Sequence, residues 1–257
     1  RQMCIRDRIV GHALPRLRGY QDKRYEREYL DKLQPFLSYT DNNYALPTEV
    51  ARGLAVWMTF EDTIRIASLK TSPERLLGIM NRDNELTHVT EYMKPRLQEL
   101  AGTLPAPIGR WAQSSAIAQT LAAPFTRGIT LRSSGILGYL ILRSLAALKV
   151  IRRITLRFME ETAAIDAWLD LVNKTAEQDE QLALEIAKCQ QLISGYGDTR
   201  ERGCDNYDEI TSRLDVLLER SDGSGVVSKL REAALKEDSG AELEACLAEH
   251  DLSVNHV

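Results

Sequence analysis

The chain has 257 residues, 44% hydrophobic and 27% charged, with a net charge of -4. That composition excludes a disordered chain, leaves enough apolar material for a real core in one large domain or two modest ones, and gives no overall reason to expect nucleic acid. The charge is unevenly spread. Between Glu99 and Glu160 there is no acidic residue but eight basic ones: Arg110, Arg127, Arg132, Arg143, Lys149, Arg152, Arg153 and Arg157. From Glu160 onward 23 acids stand against nine bases, a net of -14. The basic middle and the acidic C-terminal part can attract each other, within one chain or between chains.

RQMCIRDR (1–8) opens without an initiator Met and lacks the apolar stretch of a signal peptide. It resembles the adapter read-through found at broken ends of metagenomic reading frames. Residues 1–14 are therefore expected to be a non-native or truncated N-terminal scar and linker. Residues 15–220 are expected to form a helical domain, and 221–257 a short helical tail.

QDKRYEREYLDKLQPF places Tyr25, Tyr29, Leu30 and Leu33 on one helix face. The run from Leu46 to Lys70 repeats the pattern with Val50, Leu54, Trp57, Ile64 and Leu69, and Thr48 is its candidate cap. Ser72 and Pro73 are an N-cap and first-turn pair. Residues 85–101 carry Val89, Tyr92, Met93, Leu97 and Leu100 at helical spacing, with Pro95 kinking or splitting the helix. The segment 103–111 is a turn-rich joint, and 113–133 carries no clear assignment. All eight prolines lie at or before Pro124, so long helices are free to form beyond it. Two are expected, over about 134–150 and 152–173, the second with Ile154, Phe158, Ile165, Trp168 and Val172 on one stripe. A further helix is expected at 176–194 with Leu182, Ile186, Cys189, Leu192 and Ile193 inward. Shorter ones follow near 206–220, 226–236 and 241–249. Strand alternation nowhere exceeds four residues. The expected class is all-α, a multi-helix bundle-like domain with long antiparallel helices in the second half.

The most apolar run, GILGYLILRSLAALKVI (135–151), is short of the ~20 residues of a membrane span and contains Arg143 and Lys149, so it reads as a buried helix. Cys4, Cys189, Cys204 and Cys246 show no paired spacing and read as reduced thiols of a cytoplasmic protein. His12, His88, His250 and His256 do not cluster as metal ligands would, and no P-loop, EF-hand or C-x-x-C-x-x-C motif is present. FEDTIR (60–65) is a polar insert: Glu61 and Arg65 suit a surface i,i+4 pair, whereas Asp62 and Arg65 suit a partner contact or a buried network. GYGDT (195–199) resembles a phosphate-cradling G-x-G, but a helix precedes it rather than a strand. Gly195 suits a left-handed helix end, and Gly197 with Asp198 and Thr199 a second turn. Basic helices of this kind can bind nucleic acid, but the acidic C-terminal part would repel phosphate.

Five segments carry a family resemblance: YQDKRYEREYL (20–30), RGLAVWMTFEDTIRIASLKT (52–71), YMKPRLQELAGTLPAPIGRW (92–111), TLRSSGILGYLILRSLAALKVIRRITLRF (130–158) and WLDLVNKTAEQDEQLALEIAKCQQLISGYGDTRERGCDNYDEI (168–210). Together they resemble the C-terminal helical region, a domain of unknown function, of the indolepyruvate oxidoreductase beta-subunit family, over about residues 15–215. One departure is Arg200, where that family often has a His after Gly-Asp-Thr. The resemblance implies a non-catalytic helical domain of an aryl 2-oxo acid:ferredoxin oxidoreductase subunit, acting in subunit assembly or in shielding the active centre. It implies thiamine diphosphate and iron–sulfur clusters on the partner alpha subunit, and none in this chain. It also implies an α/β domain of the same subunit that precedes this sequence. No catalytic, cofactor or metal residue is expected here, nor a nucleic-acid or membrane partner. The candidate interface residues are Asp62, Arg65, Lys70, Gly195, Tyr196, Gly197, Asp198 and Thr199. The alternatives are a stand-alone helical interaction protein, or a helical enzyme with a pocket lined by His88 or the Asp62–Arg65 pair.

Overall fold

The computed structural model describes residues 2–80, 88–195, 197–236 and 240–252. These are 79% helical and 4% strand, so the fold is all-α and multi-helical, as the periodicity predicts. In chain order come α1 (Gln2–Tyr20), α2 (Lys23–Leu33), α3 (Asp41–Trp57), α4 (Thr63–Lys70), α5 (Pro73–Met80) and β1 (Thr90–Met93). Next are α6 (Leu97–Gly102), α7 (Ala106–Ser114), α8 (Ala116–Thr126), β2 (Ile129–Arg132), α9 (Ile136–Ala147) and α10 (Leu156–Ala176). Last are α11 (Glu180–Lys188), α12 (Gly197–Thr211), α13 (Leu214–Leu218), α14 (Gly223–Lys236) and α15 (Ala241–Glu249). The chain divides into two compact units, Arg1–Thr59 with Ala164–Val257, and Phe60–Ala163. Those bounds differ from the sequence-based division at 14 and 220. Among the described residues no helix is long and apolar enough to cross a membrane.

In the first unit the core is built on aromatic side chains that keep a polar handle satisfied. Asp22 caps α2 by accepting from the Tyr25 amide at 2.8 Å. The Tyr25 hydroxyl then donates to the Met58 carbonyl and the Tyr29 hydroxyl to that of Ala51, each at 3.0 Å, which fixes α2 on α3. Glu26, not Leu30, completes the buried face: Leu30 is exposed, and the Glu26 carboxylate is held by Arg18. Trp57 and Trp168 pack with ring centroids 5.7 Å apart. Ile165, Trp168 and Val172 are buried as the α10 stripe predicts, whereas Ile154 precedes the helix and is exposed.

The helix expected over 176–194 is shorter. Asp179 caps α11 by accepting from the amides of Gln181 and Leu182, and the chain tightens into a 3-10 turn over Cys189–Ile193. The five residues expected to face inward are all buried. The α12 helix begins at Gly197, well before the expected start near 206, because Gly203 lets it lie directly on that turn. A Cβ at Gly203 would fall 2.0 Å from the Leu192 carbonyl oxygen. The buried ion pair of Glu185 with Arg231, 2.7 Å, joins α11 to α14.

The expected continuous helix over 46–70 is two helices, α3 in the first unit and α4 in the second. The Thr59 hydroxyl donates to the Ala55 carbonyl at 2.9 Å and closes α3. Asp62, in extended conformation, starts α4 by accepting from the Arg65 amide at 2.6 Å. Thr48 lies inside α3 and donates to the Tyr44 carbonyl at 2.6 Å, so it does not cap that helix. Ser72 does cap α5 as expected, accepting from the Arg75 amide at 3.3 Å.

The helix expected over 85–101 is a strand and a short helix, with 85–87 outside the described residues. β1 pairs antiparallel with β2 in the register Thr90 to Arg132 and Met93 to Ile129. Pro95 and Arg96 separate β1 from α6, and Tyr92 is exposed. Two small clusters of buried apolar residues stand among the described residues of the second unit, Phe60–Ala163. One contains Ala67, Leu142 and Ala146, flanked by Met93, Leu131 and Leu145; the other contains Ala101, Ala112 and Ala118.

Candidate functional site

The sequence-selected polar residues fall in both units, Asp62, Arg65 and Lys70 in the second and residues 195–199 in the first. Asp62 does enter a buried network, but its partner is Arg152 rather than the Arg65 side chain. Arg152 Nε donates to Asp62 Oδ2 at 2.8 Å and Nη2 to Oδ1 at 3.1 Å, with Arg152 1% exposed. Glu61 precedes α4, so helical i,i+4 geometry with Arg65 does not arise. Lys70 is paired with Glu91, which also accepts from Arg75 Nη2 at 2.6 Å and sits 3.4 Å from the Ser133 hydroxyl. Burial raises the Glu91 carboxyl, but the hydrogen bonds and charges of Lys70 and Arg75 outweigh it, and the net shift is downward from 4.5. This carboxylate ties α4, α5 and β1 together.

In the other unit Gly195 has φ +110° and Gly197 φ +55°, the left-handed values expected of a turn that only glycine adopts freely. Tyr196 lies outside the described residues. Asp198 and Thr199 are exposed in the first turn of α12, so the segment turns directly into a helix. Arg200, at the departure from the resembled family, donates to the Ile193 carbonyl at 2.8 Å. Ser194, Thr199, Arg202, Asp205, Asn206 and Glu209 line part of a cavity of about 520 Å³. A second, of about 510 Å³, is lined by Arg8, Ile9, His12, Ala13, Arg16, Arg52, Ala55 and Val56.

Cys189 is fully buried, and burial pushes its thiol up to about 12. Burial also raises the Tyr29 and Tyr207 hydroxyls. His88 is exposed, and among the described residues no three His, Cys, Asp or Glu side chains converge as a metal site requires.

The feature that sequence reasoning missed is apolar. Sixteen of the 21 exposed large hydrophobic side chains among the described residues lie in Phe60–Ala163. Helix α9, expected to be buried, buries Gly138, Leu142 and Ala146 but exposes Ile136 (83%), Leu137 (74%), Leu140 (54%) and Ile141 (44%). On α8, Ile117, Leu121 and Phe125 form an exposed stripe at four-residue spacing, and on α7 Trp111 is 55% exposed. A monomer rarely exposes contiguous apolar surface on this scale without a use for it. The sequence signal was present: the 135–151 run has almost no polar residue to occupy a solvent face.

The described residues form a helical protein with buried ion pairs and an exposed apolar face. The chain belongs to the family of unknown function DUF6537, which matches residues 6–213. No curated protein and no solved structure matches it.

Proposed function

We propose that this chain is a non-catalytic helical domain of a subunit of an indolepyruvate (aryl 2-oxo acid):ferredoxin oxidoreductase, and that it acts in subunit assembly or in shielding the active centre. The enzyme class rests on the resemblance of the five segments above. The assembly role rests on one observation: the exposed apolar side chains concentrated in Phe60–Ala163. In this reading the thiamine diphosphate and iron–sulfur clusters belong to the partner alpha subunit, and the complex works in the cytoplasm. The α/β domain of the same subunit precedes the present sequence.

The test is co-expression of this subunit with the cofactor-bearing subunit, with and without residues 15–215. Loss of co-purification and of indolepyruvate-dependent ferredoxin reduction on deletion supports the reading. A complex that assembles and turns over without the segment refutes it. A chain that never associates with the cofactor-bearing subunit leaves the alternative, a stand-alone helical interaction protein.

A further inference from the structure

We propose that the outward face of α9 docks a protein partner whose contact surface is apolar at the centre and acidic at the rim; this rests on the assembly reading and names its chemistry. At 100° per residue, Gly138, Leu142 and Ala146 form one side of α9, packed on α4. Ile136, Leu137, Leu140 and Ile141 fall on the opposite side. A surface helix carries polar residues there; a helix apolar on both sides is one whose second side has a partner. The only charged residue within α9 is Arg143.

Charge identifies the occupant. Arg132, just before α9, and Arg143 are both exposed, and neither forms an ion pair among the described residues. They lie in the stretch from 100 to 159 that contains no carboxylate, so nothing nearby in sequence neutralises them. A partner that pairs them carries acids at its rim. The four exposed bases in that stretch, Arg110, Arg127, Arg132 and Arg143, are all Arg. Arg is enriched at protein interfaces and Lys depleted, because the guanidinium fork pairs with carboxylates and sheds water readily. A lipid surface fits less well. A helix lying in a membrane interface has a strongly charged face opposite its apolar one, whereas the other side of α9 is its buried stripe. A second copy docking face to face would oppose arginine to arginine.

The test uses the full chain co-expressed with the cofactor-bearing subunit, captured by a tag on this chain. Compared with wild type are Leu137→Ser/Leu140→Ser, Arg132→Glu/Arg143→Glu, and Leu235→Ser as a control at an exposed leucine of the other unit. Each face variant is expected to lower retained subunit about tenfold or more, the control to leave it unchanged, and high salt to weaken wild-type capture. Circular dichroism checks that each variant melts as wild type; Ile136→Ser replaces any that does not. Capture that survives both face variants overturns the docking face and leaves the assembly reading standing. Failure of wild type to capture the subunit overturns the assembly reading, and the docking proposal with it. Binding to phosphatidylserine-containing vesicles, or concentration-dependent dimerisation, that the face variants abolish assigns the face to another occupant and overturns the acidic protein partner.

Discussion

Replacing Asp62 by Asn separates two roles of one carboxylate. Asn caps a helix about as well as Asp, so the bond to the Arg65 amide survives the change. The charge opposite Arg152 does not. Arg152 is 1% exposed and the Asp62 side chain 7%, so the change removes this carboxylate's charge from beside a buried guanidinium. Removing one partner of a buried pair costs about 3–5 kcal/mol, and Asp62→Ala should cost about 1 kcal/mol more through the lost cap. The double variant Asp62→Asn/Arg152→Met removes both charges of this pair and should recover part of the loss. The assay is urea unfolding of the full chain followed by circular dichroism, with hydrogen exchange of α4 amides to locate the loss. An Asp62→Asn variant within about 1 kcal/mol of wild type would refute the reasoning, since exposed pairs are worth no more than that.

Gly203→Ala should destabilise by about 1–3 kcal/mol or more, because its Cβ would strike the Leu192 carbonyl oxygen. Gly225→Ala in α14 meets nothing within 4 Å and should gain up to about 1 kcal/mol; thermal melts of the two variants give the contrast. Iodoacetamide at mildly alkaline pH should label the half-buried Cys204 and Cys246 while sparing Cys189, whose thiol is buried and raised to about 12; peptide mass spectrometry reads the order. Glu91 is lowered on folding, so the stability it contributes is present above its ordinary value of 4.5 and is lost as pH falls through the folded value. Acid unfolding of wild type should therefore steepen below that value, and Glu91→Gln should flatten that limb.

Periodicity and capping chemistry carry most of the fold. The inward face of 182–193 and the Ser72–Pro73 start could be read directly, because each depends on neighbours within one turn. The misread elements are those decided by distant partners. The strand at Thr90–Met93 exists because Ile129–Arg132 pairs with it, and the end of α3 reflects a hydroxyl turned back on its own helix. Asp62 was legible as a polar residue in an apolar run, but Arg152 stands 90 positions away and no local pattern joins them. The exposed face of α9 was hidden for the opposite reason: apolar sequence reads as core, and only the packing of one side on α4 shows that the other is left open.

The role proposed for Phe60–Ala163 is association, with α9 at the contact. Hydrogen–deuterium exchange of the chain, alone and mixed with the cofactor-bearing subunit proposed as its partner, tests that role. Exchange in the complex should be slower over Ile136–Ala147 and the adjoining β2, with α14 and α15 unchanged. Protection confined to Gly197–Thr211 or to the C-terminal helices, with α9 exchanging as in the free chain, would contradict it.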